Sequence, residues 1–144
     1  MLMVVVAGSF VILFCMLSVL HVYWAFGGQS GLDKAVPSID GRPAFQPGVT
    51  ITMVVALALL GCAAVAGHLG FSDQIQWPYA HLAPYAGAAL ALVFLLRAVG
   101  DFHYVGFFKT LTGSPFAKLD TRLYSPLCIV LSAGFGFLSL AASA

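Results

Sequence analysis

The sequence predicts an all-α fold: one bundle of four membrane-spanning helices with both termini extracytoplasmic. Three observations carry this. The 144 residues are 61% hydrophobic and only 8% charged, where soluble domains carry roughly 25% charged residues. The apolar residues fall into four runs near the ~20 needed to cross ~30 Å of hydrocarbon. Five of the six Lys and Arg sit in just two of the connections, and the sixth, Arg97, lies inside a span. The length suits a single domain.

The first span, Leu2 to Phe26, lacks a basic leader and exceeds the ~7–15 apolar residues of a signal-peptide core, so it reads as a retained helix. Nothing in it marks a lipidation site. The second runs from Val49 to Leu69, opened by Pro47-Gly48. The third runs from Pro84 to about Phe107. The fourth covers Tyr124 to Ala142, where Ser125-Pro126 resembles a cap followed by proline at the first helical position. Alternatively it starts near Asp120 and kinks at Pro126. Small residues in span two (Gly61, Ala63, Ala64, Gly67) and span four (Ser132, Gly134, Gly136) allow close helix contact, within one chain or between copies in a homo-oligomer.

Lys34 and Arg42 lie between spans one and two, and Lys109, Lys118 and Arg122 between spans three and four. Basic loops stay cytoplasmic. The loop Gly70 to Ala83 then faces outward with Asp73, Trp77 and Tyr79, while His68 and His81 lie near the outer interface. The expected location is the cell membrane, as a multi-pass protein in contact with lipid.

This orientation gathers the unusual residues at the cytoplasmic end. His21, Tyr23 and Trp24 end span one; Arg97, Asp101, His103 and Tyr104 end span three; Asp120, Arg122 and Tyr124 lead into span four. At 1.5 Å per residue from Pro84, Arg97 lies ~20 Å and Asp101 ~26 Å into the bilayer. Their i, i+4 spacing sets them on one face, continued by Tyr104. An arginine in hydrocarbon costs about 2.5–3.5 kcal/mol on insertion scales. Snorkelling and an Asp101 partner reduce that cost, and intramembrane ionisable groups are functional candidates. On span one, Phe14, Ser18, His21 and Ala25 share a face. His21 there is either an interhelical hydrogen-bonding group or a proton carrier. The loop Gly27 to Gln46 is long for a plain connector; it reads as a cover over the span ends or as a solvated linker.

Several classes find no support. Net charge is +1, and no basic stretch points to nucleic acid. Cys15, Cys62 and Cys128 form no C-x-x-C pair and read as free buried thiols. The four histidines have no metal-site spacing, so neither metal nor cofactor is expected. Hydrolase and phosphate-loop motifs are missing.

The segments "HVYWAFGG", "LLRAVGDFHYVGFFK" and "DTRLYSPLC" together resemble the bacterial membrane-protein family catalogued as domain of unknown function 3995. The likeness spans most of the chain. It rests on His21, Tyr23, Trp24, Gly27 and Gly28; on Arg97, Gly100, Asp101, Tyr104, Gly106, Phe107 and Lys109; and on Asp120, Arg122, Tyr124, Ser125, Pro126 and Cys128. It implies a small four-span protein and supplies no activity.

The residues themselves suggest a polar pocket under the first loop, formed by His21, Tyr23, Trp24, Arg97, Asp101, Tyr104 and Tyr124. Its expected ligand is a small or lipid-like molecule with an anionic group, clamped by Arg97. Two other readings stand beside it. One is an intramembrane enzyme using Asp101 and His21 as acid and base. The other is an accessory or scaffold protein in which Arg97 and Asp101 only lock helices together.

Overall fold

A computed structural model describes residues 1–39, 42–72 and 78–143. Among the described residues, four helices are long and apolar enough to cross a membrane. In chain order, α1 is Leu2–Ala25, α2 Leu32–Ala35, the two-residue strands β1 and β2 are Ser38–Ile39 and Arg42–Pro43, and α3 is Val49–Gly70. A 3₁₀ turn, Ala80–Leu82, leads into α4, Ala83–Val99. Helix α5, Pro115–Leu119, continues through a π-helical turn, Asp120–Tyr124, into α6, Ser125–Ser143. The expectations for Asp73 and Trp77 fall outside the described residues.

Helix α1 packs chiefly on α3, and α4 on α6. Each pair is tied by a serine that donates across the interface: Ser18 Oγ to the Ala56 carbonyl (2.9 Å), and Ser132 Oγ to the Ala91 carbonyl (2.7 Å). In hydrocarbon no water competes for these groups, and each such bond contributes about 0.6 kcal/mol. The two pairs meet over four phenylalanines. Phe135 of α6 lies 5.2 Å from Phe10, 5.9 Å from Phe14 and 5.9 Å from the stacked ring of Phe94, between ring centroids. Phe14 and Phe135 are fully buried. The face predicted on α1 is the packed one: Phe14, Ser18 and Ala25 are buried and His21 half-buried.

The small residues divide. Gly134 backs onto the Phe10 ring and Gly67 onto Val11, whereas nothing approaches Gly61 or Gly136. The Lys and Arg side chains belong to the end where α1 and α4 finish and α3 and α6 begin, called here the basic end.

Two boundaries differ from the sequence reading, and both move the site. Helix α4 stops at Val99, not near Phe107. Gly100 has φ +93°, a left-handed conformation that ends a helix at little cost only for glycine. The chain then closes a tight loop and returns, with Phe107 N–H donating to the Ala98 carbonyl at 2.9 Å. Gly106, also left-handed at φ +89°, lies against Gly100 so closely that a Cβ on either would overlap the other's backbone or its neighbour's.

The fourth span starts at Ser114-Pro115 rather than Ser125-Pro126. Ser114 Oγ accepts from Ala117 N–H at 3.0 Å, with Pro115 in the first turn. Pro126 lies inside the continued helix. A proline there lacks an N–H and crowds the preceding turn. The π-helical turn just before it widens the backbone, closing with Ser125 N–H on the Asp120 carbonyl.

Candidate functional site

Two separate constellations occupy the basic end. The first is a buried charge cluster centred on Asp120, whose side chain is 0% exposed. Its Oδ1 accepts from Arg97 Nη2 at 2.8 Å. Its Oδ2 accepts from Lys109 Nζ at 3.0 Å and from Gly106 N–H at 2.8 Å. Lys109, with a side chain 2% exposed, also donates to the Gly106 carbonyl (2.9 Å) and Thr121 Oγ1 (2.6 Å). All three ammonium donors are therefore used. Arg97 retains a guanidinium nitrogen, Nη1, that is buried without a partner.

The cluster ties the end of α4, the returning loop and the π-helical turn into one corner. Two cations face one carboxylate. The turn places Asp120 and Thr121 beside Lys109, while Gly106 offers both its N–H and its carbonyl.

Asp101 is not the partner of Arg97. The i, i+4 argument assumes a helix through residue 101, and the helix has already ended. Asp101 instead organises the loop. Its Oδ1 accepts from the N–H groups of His103 (2.9 Å), Tyr104 (2.7 Å) and Val105 (3.0 Å). Those bonds, Val105's first, hold its carboxyl below the usual carboxylate range. Tyr104 packs its ring against His103, 4.4 Å between centroids, and does not continue an Arg97 face.

The second constellation is a recess of about 900 Å³ between the end of α1, the first loop and the start of α3. Its polar wall comprises His21, Trp24, Gln29, Asp33, Ser38, Gln46 and Thr52. Apolar wall is supplied by Val36, Phe45, Ile51 and Val55, among others. The first loop thus folds back as a cover, the first of its two sequence readings. Its local ties are specific. Trp24 Nε1–H donates to the Ser30 carbonyl at 2.9 Å. Tyr23 Oη accepts from Ser30 N–H at 3.4 Å, its ring lying under Gly28. Tyr124 Oη donates to the Lys34 carbonyl at 3.1 Å. Helix α2 rests on α5.

His21 stands on the wall with a defined tautomer. Its Nδ1 lies 2.7 Å from the Leu17 carbonyl. A carbonyl can only accept, so Nδ1 carries a proton. Neutral His21 therefore presents Nε2 as an acceptor. The indole of Trp24 packs edge-on at 5.0 Å.

The single seven-residue pocket expected from sequence is thus divided. His21 and Trp24 line the recess; Tyr23 and Tyr124 brace its cover; Arg97, Asp101 and Tyr104 do not line it. Arg97 is absent from the recess wall and pairs through Nη2 with Asp120. Nor is an Asp101–His21 acid–base pair assembled: Asp101 caps its loop, and no hydrogen bond joins the two. Lys109 and Asp120 take the place given to Asp101, and Asp33 and Thr52 join the recess. The signals for these were present: Gly100 as a helix stop, and a second Ser-Pro at Ser114-Pro115. Among the described residues no group of three His, Cys, Asp or Glu could hold a metal ion.

No curated protein and no solved structure matches the chain. A family model does, over residues 14–135, a range that includes His21, the Asp120 cluster and the covered recess. Extending over most of its length, the match shows that the chain belongs to DUF3995, a family described as protein of unknown function.

Proposed function

We propose that this protein binds a small or lipid-like molecule in the recess beneath its first loop, at the cytoplasmic end of a multi-pass cell-membrane bundle. The recess itself carries this reading. Its ~900 Å³ falls among small-molecule sites of ~300–1,000 Å³. Apolar side chains on the wall favour a hydrocarbon portion. His21, on the same wall, offers an orienting hydrogen bond.

The cytoplasmic assignment rests on the Lys and Arg at this end. The Asp120 cluster serves a structural part in this proposal. It fixes the corner on which the cover's brace, Tyr124, is mounted.

The test is retention of ligand through purification. The chain is extracted in a mild detergent, and bound small molecules are quantified by mass spectrometry for wild type and Val55→Trp. The bulky indole fills the recess without adding charge. A molecule retained near one per chain by wild type and lost from the folded variant supports the proposal. Equal retention by both, or no retained molecule in either, refutes it.

A further inference from the structure

The hydrogen-bond inventory of the recess gives its ligand a chemical sign. Three polar groups on the wall have their donors committed. His21 Nδ1–H is held by the Leu17 carbonyl at 2.7 Å, Trp24 Nε1–H by the Ser30 carbonyl at 2.9 Å, and Thr52 Oγ1–H by the Gly48 carbonyl at 3.0 Å. What His21 and Thr52 have left to offer is lone pairs: His21 Nε2 and the Thr52 oxygen. Asp33, an exposed residue of the lining, adds a carboxylate that only accepts. Gln29, Ser38 and Gln46 can donate or accept and bias neither way.

No Lys or Arg lines the recess among the described residues. Arg97 Nη2 is paired with Asp120, and Lys109 has its three bonds. An anion entering this space would meet acceptors and a like charge. A donor would meet His21 Nε2 and Thr52 Oγ1, and a cationic one would also gain the attraction of Asp33 and of the Trp24 indole. Buried acceptors left without donors cost enough to discriminate strongly between ligand heads.

We infer that the recess selects an amphiphile whose head is a hydrogen-bond-donating cation, a primary or secondary ammonium carried on an apolar chain. This rests on the proposal that the recess holds a ligand, and reverses the anionic head expected from sequence. His21 Nε2 and Thr52 Oγ1 accept from the ammonium, Asp33 balances its charge, and the chain lies along Val36, Phe45, Ile51 and Val55.

The experiment uses the two tryptophans of the sequence. Trp77→Phe leaves Trp24 as the sole indole, a reporter on the recess wall. In zwitterionic nanodiscs, fluorescence quenching is titrated with three chain-matched twelve-carbon amphiphiles brominated at the tail: an amine, an alcohol and a carboxylate. Concentrations are referred to the bilayer phase, and saturable quenching is checked by competition with the unbrominated compounds. The expected result is saturable quenching by the amine at concentrations at least tenfold below those for the carboxylate. Asp33→Asn should reduce the amine's advantage over the alcohol to less than threefold. Carboxylate or alcohol binding as tightly as the amine overturns the inference while leaving occupancy of the recess intact. Quenching that saturates with none of the three overturns both.

Discussion

Replacing Asp120 by asparagine should be the most damaging single-atom-scale change at the basic end. The carboxylate is fully buried and receives three donors, two of them cationic. Asparagine keeps one acceptor oxygen and turns an NH₂ toward groups that are themselves donors. Lys109, its side chain 2% exposed, would be left as a buried cation with no counter-charge. Removing one partner of a buried ion pair costs about 3–5 kcal/mol. At roughly 2–4 °C per kcal/mol for a chain of this size, the melting temperature should fall by about 6–20 °C. The informative comparison is Asp101→Asn. Asp101 is exposed, and an asparagine oxygen can take the same three N–H groups, so its loss should stay within about 1 kcal/mol. Thermal unfolding in detergent, followed by a thiol-reactive dye as buried Cys62 and Cys128 become accessible, gives both values. Equal losses, or a greater loss for Asp101→Asn, would refute the assignment of Asp120 as the counter-charge.

Three further outcomes are expected. Gly100→Ala combines a positive φ with overlap against the Val105 carbonyl and should destabilise by about 2 kcal/mol or more; Gly113→Ala, with open space around it, should stay within about 0.5 kcal/mol in the same melting assay. Asp101 has its pKa lowered in the folded chain, so its contribution to the loop is complete above its ordinary range near ~3.9 and is lost as pH falls through the depressed folded value. Hydrogen exchange at His103, Tyr104 and Val105, corrected for intrinsic rates, should therefore accelerate only below about pH 4, and Asp101→Ala should show that acceleration already at neutral pH. Tyr124→Phe removes the bond to the Lys34 carbonyl; limited proteolysis of the first loop should quicken by about five- to tenfold, following the ~1 kcal/mol of one hydrogen bond, with global melting little changed.

The spans were legible because a bilayer imposes a length and a composition that few other contexts demand. The packed face of α1 was legible because Phe14, Ser18 and Ala25 keep helical spacing over an uninterrupted helix. The pairing of Arg97 was not. Its sequence argument extrapolated a helix across Gly100, where a left-handed turn redirects the chain, so that spacing along the sequence ceased to report a shared face. Contact over 23 positions, from Arg97 to Asp120, leaves no periodic trace. The start of the fourth span was obscured by two Ser-Pro pairs with the same local chemistry; tertiary context selected Ser114-Pro115 and absorbed Pro126 in a π-helical turn. The residues behind the resemblance nevertheless include Arg97, Gly100, Gly106, Lys109 and Asp120, so the right partners were in view without their connections.

The distance along the chain between Arg97 and its counter-ion has a consequence for biosynthesis. The ribosome delivers the arginine-bearing third span before the aspartate has been made. A nascent chain halted after residue 114 would expose a lone guanidinium to the insertion machinery. The last two long helices are therefore expected to partition from the translocon as a hairpin, with the third waiting for the fourth.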